Sequence, residues 1–93
     1  MRLDEEERKA IKDSIIEFDP HSEIYLFGSR TDPNKKGGDI DILILSKILT
    51  RSDKFSILCR IFEQIEEQKI DIVIAHDTSE PFVRLAFKTG IKL

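Results

Sequence analysis

Apolar positions along the chain recur with two different periods. Over residues 4–18, DEEERKAIKDSIIEF, Ile11, Ile15 and Phe18 fall at i, i+4 and i+7 with Ile16 beside them, and acidic residues crowd the first turn. This spacing predicts an amphipathic helix whose N-terminal end favours negative charge. Asp19-Pro20 stops it, because proline cannot continue the ladder and restrains the residue before it. EIYLF at 23–27 and DIDILIL at 39–45 read as strands, the second apolar on its even-numbered face and mixed on the odd one. Residues 51–68 return to the helical period, with Thr50 as N-cap and Ile57, Leu58, Ile61, Phe62 and Ile65 as the stripe. KIDIVIA at 69–75 predicts a third strand. Ser79-Glu80-Pro81 opens a last short helix, which Gly90 closes.

The second and third strands flank a helix and are expected to form a parallel crossover. About eleven polar residues join the first two strands, too few for a crossover helix, so that pair is expected to be antiparallel. The expectation is one α/β (α+β) domain over residues 1–93, a small mixed sheet of three or more strands flanked by helices. The chain shows no repeat, low-complexity tract or linker.

Composition narrows the function. Of 93 residues, 40% are hydrophobic and 35% charged, and 15 basic against 18 acidic residues leave a net charge of −3. That balance excludes an extended nucleic-acid surface held by phosphate contacts, while a small phosphorylated ligand with metal stays open. Cys59 is the one cysteine; no disulfide framework follows, a cytoplasmic location is expected, and Cys59 reads as a small core thiol. No apolar run reaches the ~18 residues of a membrane span, and MRLDEEERK has no signal-peptide core, so a soluble protein is expected.

Candidate chemistry concentrates in LFGSRTDPNKKGGDIDILIL, residues 26–45. Side chains alternate along a strand, so Asp39 and Asp41 project from the same side. Two such carboxylates repel, and a divalent cation bound by oxygen ligands compensates them. Acids that merely punctuate a turn would leave the same trace. Asp71, near the start of the third strand, adds weight: if the second and third strands are neighbours starting at one edge, three carboxylates converge, as two bridging ligands and a third that ligates or accepts a proton. Gly28-Ser29 supplies a turn the backbone can bring close to a phosphate, with the Ser hydroxyl as a further donor. Arg30 follows and can neutralise phosphate charge. His21 and His76 have no metal-ligand spacing and are expected at the surface. Ser14, Ser46 and Ser56 have no base partner in a nucleophile motif.

Together GSR (28–30), GGDIDILI (37–44) and IDIVI (70–74) resemble the three-part signature of the DNA polymerase beta-like nucleotidyltransferases, and most closely the minimal nucleotidyltransferases, over nearly the whole chain. The resemblance implies that family's mixed-sheet fold, binding of a nucleoside triphosphate (ATP), and two Mg²⁺ ions, with Mn²⁺ as a substitute. It implies triphosphate contacts from Gly28 and Ser29, metal bridging by Asp39 and Asp41, and Asp71 as the third metal-site carboxylate. It also implies a setting: many minimal members are antitoxins of a separately encoded HEPN ribonuclease, and some transfer AMP onto a tyrosine of that toxin. This chain has no Arg-x(4–6)-His motif of its own, so such a toxin is another protein. Where many relatives carry an Arg-Gly or similar pair after the turn, this chain has TDPNKK, in which Lys35 and Lys36 are either electrostatic substitutes or solvated loop residues.

The expected function is Mg²⁺-dependent transfer of a nucleoside monophosphate to a protein acceptor. The alternatives are an inactive module of the same fold that neutralises its partner sterically and, more weakly, a two-metal phosphohydrolase. So small a core has little surface to enclose two substrates, so a partner protein or another subunit is expected to complete the site. The segment EPFVRLAFKTGIKL packs Phe82, Val83, Leu85, Ala86 and Phe87 into six residues, with Ile91 and Leu93 beyond. It is either the end of the core or an interface with a second copy or a partner.

Overall fold

A computed structural model describes residues 3–34 and 38–93. Helix α1 (Glu5–Phe18) starts on a reciprocal cap: Asp4 accepts from the Glu7 backbone N–H (2.8 Å), and the Glu7 carboxylate accepts from that of Asp4 (3.1 Å). Strand β1 (Glu23–Phe27) follows, then a single 3-10 turn over Gly28–Thr31, strand β2 (Ile40–Leu45), a second 3-10 turn over Arg51–Asp53 and helix α2 (Lys54–Phe62). Strand β3 (Ile70–Ala75), helix α3 (Pro81–Thr89) and a two-residue strand β4 (Ile91–Lys92) complete the order.

The sheet runs β3-β2-β1-β4, with β1 antiparallel to β2 and β4, and β2 parallel to β3. Alternation then divides the side chains between two faces. Ile24, Leu26, Ile40, Ile42, Ile44, Ile70 and Ile72 point into the main core, where Ile11 and Ile15 of α1 and Ile57 and Ile61 of α2 cover them. On the opposite face Tyr25 and Leu43 are covered by Val83 and Ala86 of α3.

Two expectations change, and one left open is decided. The helix expected over 51–68 becomes a 3-10 turn and nine α-helical residues. An 18-residue helix would be ~27 Å long, whereas the six-residue strands it must run back along span ~20 Å, so the full helix would overshoot the start of β3. Cys59 is exposed rather than in the core. It lies two positions from both Ile57 and Ile61, on the far side of α2 from the buried stripe. Ile91 and Leu93 belong to the sheet and the core rather than to an interface. Ile91 pairs with Leu26, the Leu93 N–H donates to the Ile24 carbonyl (2.9 Å), and the Leu93 side chain packs on the main core.

Three buried polar side chains are structural. Asp19 accepts from the Ser46 hydroxyl (2.6 Å) and the His21 N–H (3.0 Å), and Ser46 Oγ in turn accepts from the Leu49 N–H (3.0 Å), tying α1 to the end of β2. Ser14 accepts from the Gln64 side-chain amide (2.8 Å). His21 and His76 are exposed, as expected. Among the described residues no helix is long and apolar enough to cross a membrane.

Candidate active site

The parallel register of β2 and β3 pairs Ile40 with Ile70, Asp41 with Asp71 and Ile42 with Ile72. All four isoleucines are buried in the main core. Asp41 and Asp71 must therefore project from the opposite face, side by side at the edge where both strands begin. The Ile40 N–H donates to the Lys69 carbonyl (3.1 Å), which extends the pairing one step toward Asp39. At that step Lys69 Nζ lies 3.5 Å from Asp39 Oδ2. Among the described residues the edge thus carries Asp39, Asp41, Asp71 and Lys69, with Asp39 and Asp41 half-buried and Asp71 exposed.

The electrostatics follow from this crowding. Burial pushes the Asp41 carboxyl above its ordinary value; the neighbouring charges of Asp71 and then Asp39 add to the rise, and Lys69 opposes it.

The Gly28 turn closes the other side. Phe27 is the register partner of Asp41 on β1, so the chain enters the turn directly beside that carboxylate. Gly28 has φ of 77°, a left-handed conformation that disfavours side chains. A Cβ there would overlap Asp41 Oδ2. The turn itself is one 3-10 turn, held by the Thr31 hydroxyl donating to the Gly28 carbonyl (2.7 Å), so any pull on an anion comes from a few N–H groups and Arg30 rather than from a long helix. Arg30 Nε donates to the Gly38 carbonyl (3.2 Å), linking the turn to the residue before Asp39. Ser29 is half-buried in the same turn.

The structure thus brings together Gly28, Asp41 and Asp71, with Asp39 held by Lys69 and Arg30 at the root of the loop. Among the described residues, no three His, Cys, Asp or Glu side chains close into a metal-ligand cluster. The all-oxygen donor set nonetheless suits a hard divalent cation, and the burial and repulsion acting on Asp41 are what such a cation would relieve. Asp41 and Asp71 could hold one from adjacent register positions, with Asp39 joining on release from Lys69. Lys35 and Lys36, and Gly37 of the quoted motif, lie outside the described residues.

Lys69 was not singled out from the sequence, although a signal is there. KID at 69–71 repeats DID at 39–41 with one acid replaced by a base, and aligning the two shows which corner carries the ammonium. Phe27 was also missed; its place immediately before the Gly-Ser turn puts it beside the carboxylates. Two concavities of about 560 and 550 Å³ lie elsewhere, one among Leu49, Lys54, Val73 and Val83, the other among Asp19, Glu23, Ser46 and Phe87. Asp39, Asp41 and Asp71 line neither.

An α+β domain that sets a glycine turn against acids at one edge of a mixed sheet has the layout of a nucleotidyltransferase domain. The chain belongs to the polymerase beta nucleotidyltransferase family, whose family model, "Polymerase beta, Nucleotidyltransferase", matches residues 9–93. No curated protein matches the chain significantly.

Proposed function

We propose that this domain transfers a nucleoside monophosphate, AMP from ATP, to a hydroxyl of a separate protein in a Mg²⁺-dependent reaction. The observation that carries this reading is the pairing of Asp41 with Asp71 beneath Gly28, which joins carboxylates and turn into one site. Gly28 lets the backbone approach the triphosphate, and the Ser29 hydroxyl and Arg30 guanidinium add donors to its oxygens. Asp39, Asp41 and Asp71 are the residues that would hold Mg²⁺, which when bound supplies Lewis acidity at the α-phosphate and charge neutralisation for departing pyrophosphate. Asp71, the most exposed of the three, takes the acceptor hydroxyl's proton as that oxygen bonds to the α-phosphorus and the bond to pyrophosphate breaks.

A protein acceptor is supported by the exposure of Asp71 and by that of Phe82, Leu85 and Phe87 along α3. Within the family resemblance, the acceptor is a HEPN-type toxin made as a separate chain, and this protein is its antitoxin in the cytoplasm. The test is incubation with Mg²⁺, ATP labelled at the α-phosphate and the co-expressed neighbouring protein. Label retained on that protein, with a mass increase of one AMP and lost in Asp41→Asn, is the expected result. Label released as free nucleotide would favour phosphohydrolysis instead.

The ion pair of Lys69 with Asp39 favours a second reading, in which the domain has ceased to bind metal and silences its partner by contact alone. A stable complex without label transfer would select it.

A further inference from the structure

Phe82 is the first side chain after Pro81 at the start of α3, and it is 57% exposed. Its position is not a matter of loose packing. Val83 and Ala86 are buried against Tyr25 and Leu43, which fixes how α3 lies across the sheet. Arg84 clamps the preceding loop by donating to the carbonyls of Ser79 (2.8 Å) and Thr78 (3.3 Å). The rings of Phe82 and Phe27 meet edge to face, with centroids 5.8 Å apart and planes at 81°. Phe27 is the register partner of Asp41 and the residue before Gly28. Moving outward along the face that bears the acids, one passes from Asp71 to Asp41, then to Phe27, then to Phe82. The acidic edge is continuous with an aromatic wall.

We infer that Phe82, backed by Phe27, is the stacking surface for the nucleobase of the nucleoside triphosphate. The inference rests on the nucleotidyl-transfer reading and adds where the base lies and how it is selected. A nucleotide with its phosphates at Gly28 and its α-phosphate over the carboxylates must place its base to one side. The β1 side offers an aromatic surface one ring away from Asp41. Stacking on a phenyl ring uses the π-face that every base has and reads no hydrogen-bonding edge. Phe82 therefore selects by ring area: ATP and GTP bind alike, and CTP and UTP bind more weakly. The same ring belongs to the apolar stretch of α3 that a protein could cover, but among the exposed side chains Phe82, Leu85 and Phe87 it is Phe82 whose ring meets Phe27, the register partner of Asp41, whereas the Phe87 ring meets Tyr25.

The chain contains no tryptophan, so Phe82→Trp creates a single fluorescent reporter. Addition of ATP with Mg²⁺ is expected to quench it. Inorganic tripolyphosphate is expected to leave the emission unchanged while competing with ATP. By calorimetry, Phe82→Ala should bind ATP on the order of ten-fold more weakly, with tripolyphosphate affinity unchanged and Phe82→Tyr restoring ATP binding. Phe82→Leu, which keeps an apolar contact on Phe27, covers the case in which the alanine variant does not fold, and is expected to show the same selective loss. Equal ATP affinity in the parent and these variants overturns the inference, as does an equal loss for ATP and tripolyphosphate. Loss of partner binding with ATP affinity intact also overturns it and makes Phe82 a protein contact. A parent that binds neither ATP nor tripolyphosphate overturns the nucleotidyl-transfer reading itself.

Discussion

Gly28, the residue after the Phe27 that pairs with Asp41, leaves no room for a side chain: a Cβ there would overlap Asp41 Oδ2. A turn after one strand and an acid in the next, thirteen positions apart in sequence, thus form a single unit. This position therefore demands glycine on two grounds, a φ of 77° and the absence of room for a side chain.

Gly28→Ala is accordingly expected to destabilise the fold by about 1–3 kcal/mol, through strain at positive φ and displacement of the Asp41 carboxylate. Nucleotide binding should fall further than stability alone accounts for. Ser29→Ala removes one donor, with an expected loss of about 0.5–1.5 kcal/mol in triphosphate affinity. Thermal melting with calorimetric titration of ATP checks both. Unaltered ATP affinity in the two variants would reduce the turn to a strand end.

Asp41 gives the metal-free protein a signed pH dependence. Its carboxyl is raised by burial and by Asp71 and Asp39, so the folded state holds this proton more tightly than the unfolded state. Its contribution to stability is therefore present below the unfolded carboxylate range and is lost as pH rises through the raised folded value. In EDTA, Asp41→Asn should melt at a higher temperature than the parent near neutral pH, and the gap should narrow as pH falls toward 4. Added Mg²⁺ should reverse the order by stabilising the parent alone. A gap independent of pH would mean that repulsion at this edge is not what the asparagine relieves.

Lys69 supplies a built-in positive charge opposite Asp39. Both side chains are largely in water, 70% and 43% exposed, so the pair contributes less than about 1 kcal/mol to folding. Lys69→Met should leave the metal-free melting temperature within a degree or two and tighten divalent binding several-fold, since Asp39 then has no competing partner. Titration with Mn²⁺ followed by electron paramagnetic resonance reads this directly. Weaker Mn²⁺ binding in the variant would show that Lys69 supports the site rather than competing within it.

The outer side of α3 carries the prediction about partners. Leu85 is 61% exposed and Phe87 38%, with the Phe87 ring also packed edge to face on Tyr25 at 5.1 Å. Leu85→Ser/Phe87→Ser should weaken association with the acceptor protein while metal and ATP binding persist. Some loss of stability is expected from the Tyr25 contact. Co-purification equal to the parent's, together with a monomeric parent, would remove this surface as an interface.

The periodicities of 4–18, 23–27, 39–45 and 69–75 were legible because each depends on neighbours a few residues away: an amphipathic stripe, a proline stop, an alternation of faces. That Asp39 and Asp41 share a side follows from the same local rule, as does a turn at Gly28. What lies opposite each acid depends on register, which residues thirty positions apart decide together by burying Ile40, Ile42, Ile70 and Ile72 on one face. Only that pairing sets Asp71 beside Asp41 and Lys69 beside Asp39. The short α2 has a similar origin, since the length of the strands, not helix propensity, limits how far the crossover can run, whereas the exposure of Cys59 follows from the helical period that buries Ile57 and Ile61. Whether Ile91 and Leu93 end the core or face a partner was not legible in the sequence because a two-residue edge strand has no period to detect; they find their place through the free edge of β1, which exists only once the sheet has formed.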